Sequence, residues 1–345
     1  MILGWWDSVT DLRPFIARVM KTLEAHRFHE ESRAYARHLA QLEQGNTNED
    51  VYGTADAAII LYTLNALPQL PAEKKLWIAV LQQHQSENTG VFAGQGHNEI
   101  HSTAFALSAL ELFDGKAGFP LVRFKELMDK EQIAPFLESL DWRDQPWGES
   151  LKGAGIYACL VLSESVDEAW EREYFDWLLQ NADPLTGLWR KGCVKQADGS
   201  PVNAPLFHHI AGSFHYLFNL AHRKEQIPYP ERVIDTCLEL YQSGELELPE
   251  EVFSYFHIDW AYTILCCLKQ TASYRKEECK AAVKGTSQRF IENLAQLGTE
   301  SDEPFDDLHS LCGAVCGLAA IQQLIPGLIQ TDEPLQLVLD RRPFI

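Results

Sequence analysis

Six small-residue-rich apolar segments recur along the chain, and this recurrence constrains the fold more than any other feature. They are Thr54–Leu67, His101–Phe113, Ser150–Leu162, His208–Leu220, His257–Leu268 and Leu308–Leu324. Their first residues are 47, 49, 58, 49 and 51 residues apart. Self-similarity at such a period marks stacked supersecondary units that cannot bury their apolar faces alone. Each segment is apolar nearly all round, which predicts a helix buried on most faces. The Ala, Gly, Ser and Cys within them permit close helix packing.

The stretches between these segments carry charge on one side and apolar residues at i, i+3, i+4 and i+7, the pattern of a surface helix covering a core. They are Ala72–Gln85, Leu121–Leu140, Asp167–Gln180, Glu231–Tyr241 and Lys276–Leu297, with Leu12–Gln44 supplying the first cover as one long helix or two. Pro71, Pro120 and Pro230 stand near the expected helix N-termini, and Gly90, Gly187 and Gly244 follow the C-termini. Strand signals are nearly absent. The expected fold is all-α: an (α/α)6 toroid of six helical hairpins around a central cavity, forming one domain over residues 1–345. An open helical solenoid is the alternative, but its terminal repeats should be more polar, and Leu308–Leu324 is as apolar as any other inner segment.

Composition limits the partners. Of 345 residues, 29 are basic and 49 acidic, for a formal charge of −20. Such a surface repels phosphate backbones and anionic lipid, so no nucleic-acid partner is expected. No run reaches the roughly 18 apolar residues of a membrane span. The N-terminus lacks a basic segment followed by an apolar one, and the eight cysteines form no Cys-x-x-Cys pair. A cytoplasmic protein with reduced, buried thiols is the expectation. The expected partner is a small-molecule ligand in the central cavity.

Two segments carry a family likeness. Gln85-Ser86-Glu87-Asn88-Thr89-Gly90-Val91-Phe92, followed by His101-Ser102-Thr103-Ala104-Phe105-Ala106, resembles the repeat of terpenoid cyclases and protein prenyltransferase β-subunits. Leu179–Trp189 echoes it with a Gly187-Leu188-Trp189 turn, and Gln242-Ser243-Gly244 is a shortened copy. Asp306-Asp307-Leu308-His309 resembles the late prenyltransferase segment, where the resemblance makes His309 a zinc ligand. The Asp-x-Asp-Asp acid motif and the Asp-Asp-x-x-Asp diphosphate cluster of those enzymes do not occur in this chain, and its one Asp-x-Cys, Asp235-Thr236-Cys237, lies in the covering stretch Glu231–Tyr241 rather than in an inner segment. Six-hairpin glycosidases and sugar epimerases share the ring shape, and the Thr186–Trp189 turn is similar to theirs.

Polar residues open the inner segments, and on a ring these openings share one rim. The candidate acid/base residues are Asp56, His101, Glu149, His215, His257, Asp259, Asp307 (with its neighbour Asp306) and His309. Carboxylates and imidazoles in an apolar setting have displaced pKa values, the physical signature of proton transfer. Trp147, Trp189, Tyr216 and Trp260, with His208 and His209, are the candidate substrate-binding residues, since aromatic walls stack on sugars or stabilise cations. His215, Asp259 and His309 are candidate ligands for a divalent metal such as zinc. Trp5-Trp6 are read as a lid or as ordinary packing. Three functions follow: a cyclase- or prenyltransferase-like enzyme using acid/base chemistry on a small or prenyl-like molecule; a carbohydrate-active hydrolase, lyase or epimerase; or a non-catalytic ligand- or protein-binding toroid.

Overall fold

A computed structural model describes residues 9–43, 51–196, 199 and 202–345. Trp5 and Trp6 lie outside the described residues. Thirteen α-helices account for most of the described chain. They are α1 (Arg13–Ala25), α2 (Ala40–Glu43), α3 (Tyr52–Thr63), α4 (Pro71–Gln82), α5 (Glu99–Leu112), α6 (Lys130–Ser139), α7 (Pro146–Leu162), α8 (Glu168–Asn181), α9 (Leu206–Arg223), α10 (Pro230–Ser243), α11 (Phe256–Leu268), α12 (Lys276–Glu300) and α13 (Leu308–Leu324). Among the described residues the protein is all-α apart from two-residue strands, Thr10–Asp11 (β1) and Ile329–Gln330 (β2), which pair in parallel.

The six apolar segments are α3, α5, α7, α9, α11 and α13, and they are the most buried elements of the chain. Each packs on the next in this series, and α13 packs on α3; among the covering helices, α12 packs on α1. Small residues set how closely they approach. A Cβ at Gly212 of α9 would fall 2.7 Å from the Pro146 carbonyl oxygen of α7, and one at Gly313 of α13 would fall 2.7 Å from the Tyr255 ring. One contiguous apolar cluster runs from Leu12 to Ile345.

The turns before the inner helices share a hydrogen-bonding device. A hydroxyl on an inner helix accepts the amide of an aromatic residue in the segment before it. Thr54 accepts from Tyr35 at 3.1 Å, Thr103 from Phe92 at 3.1 Å and Ser213 from Trp189 at 3.0 Å. Gly90 (φ 77°) and Gly187 (φ 76°) hold the left-handed conformation these turns need. Gln85 clamps one of them: its Nε2 donates to Gly90 O and Phe119 O, and its Oε1 accepts from the Gly118 and Phe119 amides.

Two cover segments depart from expectation. Leu12–Gln44 gives α1 and only the four-residue α2, because His26 halts the first helix by bonding Ala36 O at 2.9 Å and Phe305 O at 2.7 Å. Leu121–Leu140 divides into a 3-10 stretch, Val122–Met128, and α6, which restarts where the Asp129 carboxylate caps the Glu131 amide.

The expected open cavity is also modified. Residues 337–345 turn inward past the end of α3, where the Gln336 amide donates to Thr63 O at 2.9 Å. Asn219 of α9 donates to Pro343 O at 2.8 Å, and the Phe344 ring lies 5.2 Å from His101 of α5 and 5.7 Å from Phe218 of α9. Arg342, Phe344 and Ile345 are buried. The chain thus fills part of the space among its own inner helices.

Candidate active site at the inner-helix openings

Asp56, in the second turn of α3, is fully buried and accepts from His309 Nδ1 of α13 at 2.9 Å; its Oδ2 has no partner. Burial raises the Asp56 carboxyl above its usual range, against the opposing pull of His309 and Arg37. Tyr255, just before α11, brings its hydroxyl to 3.3 Å from the same His309 nitrogen. His309 Nε2 has no hydrogen-bond partner among the described residues.

A second imidazole faces this pair. His101, capped into the first turn of α5 by Asn98, is hydrogen-bonded through Nδ1 to the Tyr52 hydroxyl at 2.5 Å. Its ring centroid is 6.4 Å from that of His309, and His97 stacks on it at 4.1 Å from the solvent side. Desolvation pushes His101 well below the usual histidine range, and His97 and His309 add to the shift. It is therefore an uncharged imidazole at neutral pH.

Asp307 caps α13 and organises the rim. It accepts from the His309 amide, from Ser310 Oγ at 2.7 Å and from Arg37 Nε at 2.9 Å. Burial pushes its carboxyl up, but these three donors outweigh it and hold it well below the usual carboxylate range. It stays ionised and structural. Asp306 pairs with His38 at 3.2 Å on the exposed side.

The other candidates fall into separate places. His215 of α9 is buried, hydrogen-bonded through Nδ1 to Ser150 Oγ of α7 at 2.7 Å, and pushed down to about 3 by burial. Asp259 of α11 is buried with Oδ2 unpartnered; burial pushes it well above its usual range, with Trp147 as a weaker opposing donor. Glu149 pairs with Lys152 at 2.5 Å and is partly exposed. His257 points the other way from the histidine pair, stacking at 3.9 Å on Phe290 of the covering helix α12.

The aromatic candidates divide similarly. Trp147 and His208 line an open cleft of about 530 Å³ with Phe207, Phe256 and the acidic 245–251 segment. Trp189 is fully buried and donates to Leu178 O at 2.9 Å, while Tyr216 packs edge-on against it at 5.8 Å. These two, with buried His209 and Trp260, fill gaps between helices. No group of three His, Cys, Asp or Glu side chains among the described residues is arranged to hold a metal ion, so His215, Asp259 and His309 do not converge as the expected zinc ligands. All eight cysteines are buried and unpaired as disulfides.

Sequence reasoning missed Tyr52, His97, Tyr255, Ser150 and Arg37. For His97 the helix pattern carried no signal, because it lies outside α5, just before the Asn98 cap, and reaches His101 from the bend that precedes the helix. Comparison with protein-family models, with curated proteins and with solved structures finds no match. No helix of the described residues is long and apolar enough to cross a membrane.

Proposed function

We propose that the six hairpins close as an (α/α)6 toroid and that the protein is an enzyme performing proton transfer at the opening framed by α3, α5 and α13. The observation that carries this reading is the Asp56–His309 pair set opposite the Tyr52–His101 pair. A carboxyl group hydrogen-bonded to Nδ1 fixes the tautomer and orientation of an imidazole and leaves Nε2 to act on a ligand. A second, uncharged imidazole 6.4 Å away supplies a complementary acceptor or donor. The walls are Phe105, Tyr52 and Phe344, whose rings lie near these imidazoles. This suits a small, largely apolar, prenyl-like molecule, and the net charge of −20 favours an uncharged one.

The test is a thermal-shift and turnover screen with prenyl alcohols, prenyl diphosphates, and mono- and oligosaccharides, run on the wild type, Asp56→Asn and His309→Ala. Prenyl compounds should stabilise the wild type, and both variants should lose at least about 100-fold in turnover, the range of general acid/base contributions. Stabilisation by sugars alone would assign the toroid to carbohydrate chemistry. Ligand shifts unchanged in both variants would place the site elsewhere.

A further inference from the structure

Among the described residues, Arg342 is a buried cation with no carboxylate partner. Its side chain is fully buried, and Nη1 donates to Ser108 O of α5. Nε and Nη2 have no partner, and neither does the buried hydroxyl of Ser108 itself. The nearby carboxylates are engaged elsewhere: Glu111 takes Arg341 at 3.0 Å, and Asp340 takes Lys269 at 2.9 Å. Among the described residues, no carboxylate forms an ion pair with Arg342. Burial lowers the guanidinium pKa only to about 10, so the group remains cationic at neutral pH.

An isolated buried charge is among the most costly features a fold can carry, and buried charges are paired as a rule. The two unpartnered nitrogens share a geometric property. Nε–H and one N–H of Nη2 project from the same edge of the planar guanidinium, forming the side-on fork that binds a carboxylate through two parallel hydrogen bonds. Ser108 lies seven residues beyond His101 on α5, about 10 Å further along the axis. This position is distinct from the imidazole pair.

We propose that Arg342 and Ser108 form an internal anion site for a small, planar, monovalent oxyanion of formate or bicarbonate shape. The bound anion neutralises Arg342 and fixes residues 341–345 among α5, α7 and α9. The proposal is independent of the acid/base reading, since it concerns how the C-terminal segment is held.

The experiment is a thermal-denaturation titration of the full chain with sodium formate and, separately, sodium chloride. Ionic strength is held constant with a morpholine sulfonate too bulky to enter. Formate should raise the wild-type Tm with the logarithm of its concentration above Kd, reaching about 3 °C or more once it is far above Kd. Arg342→Met should show no formate-specific rise, and Ser108→Ala should need several-fold more formate for the same shift. Carbon-13 formate NMR on the wild type gives a second readout that does not depend on the folding of Arg342→Met, with exchange broadening expected at sub-stoichiometric protein. Absence of broadening, a formate response surviving in Arg342→Met, or an equal response to chloride would overturn the assignment.

Discussion

His257 and His209 are each pushed down to about 4, and His215 to about 3, in every case chiefly because burial disfavours the imidazolium. In the unfolded chain the same groups titrate near 6.5. Between those values the unfolded state binds protons that the folded state refuses, so stability falls as pH drops from about 6.5 toward 4. Asp56 and Asp259 act with the opposite sign. Their raised pKa values favour the fold at low pH, and that contribution is lost as pH rises through their folded values. Between about pH 4 and 6.5 the histidines by themselves make the fold acid-labile, and the two carboxyls oppose them. Each shifted histidine costs about 2 kcal/mol at pH 5 relative to neutral pH. Denaturant titrations at pH 7.5 and pH 5 should show lower stability at pH 5 by several times RT, and His257→Gln should make that pH dependence shallower by about one proton. Of these residues, position along the sequence correctly singled out Asp56, His101 and His309 as helix-opening polar groups. It could not distinguish His257 from them. A helix that is apolar on every face gives no sign of which side looks inward, and only packing against Phe290 reveals that His257 looks outward.

At the scale of an element, the readable feature was the turn that joins a covering helix to an inner one. The Gln85…Gly90-Val91-Phe92 stretch and the Asp183…Gly187-Leu188-Trp189 stretch adopt equivalent turns. In the first, the Gly90 amide donates to Ser86 O and the Ser86 amide to Val91 O; in the second, Gly187 and Asp183 repeat both bonds. The glycine is required on two counts at position 90, since its φ is 77° and a Cβ would lie 2.0 Å from Pro120 O. Gln85 is the more informative residue. It is nearly buried and satisfies four backbone groups on two loops with one amide. Gln85→Ala would strand those groups, at a cost of about 3 kcal/mol. Gln85→Glu would keep the two accepted bonds but lose the two donated ones and set a carboxylate oxygen against the Gly90 and Phe119 carbonyls, so it too should destabilise. Equilibrium unfolding in urea should place both variants below the wild type, with Gln85→Ala unchanged in m-value. The covering helices were less legible where a side chain from elsewhere intervenes. The early end of α1 is set by His26 reaching Phe305 O, a contact 279 residues away in sequence.

For the whole molecule, the recurrence in sequence left two arrangements open, a ring and an open superhelix, and these differ in how they unfold. In a solenoid each hairpin touches only its neighbours, so a terminal repeat can melt by itself. Here the first and last elements meet three times over: α13 packs on α3, α12 packs on α1, and β1 pairs with β2. The C-terminal segment adds a further tie, running from the end of α3 to α9. Nothing in the repeat pattern foretold that segment, because its burial depends on the shape of the space the six helices leave rather than on any periodicity of its own. The junction of α12 with α1 offers the decisive test. A Cβ at Gly298 would sit 2.4 Å from the Phe15 amide nitrogen, so Gly298→Val forces the two ends apart at about 1–3 kcal/mol for overpacking. In a closed ring the strain is shared, and the variant should show one calorimetric transition at lower Tm, with hydrogen exchange accelerated in α3 and α13 alike. A separate early transition confined to α1 and α12 would instead mean that the ends only lean on one another and that the proposed toroid is an open superhelix.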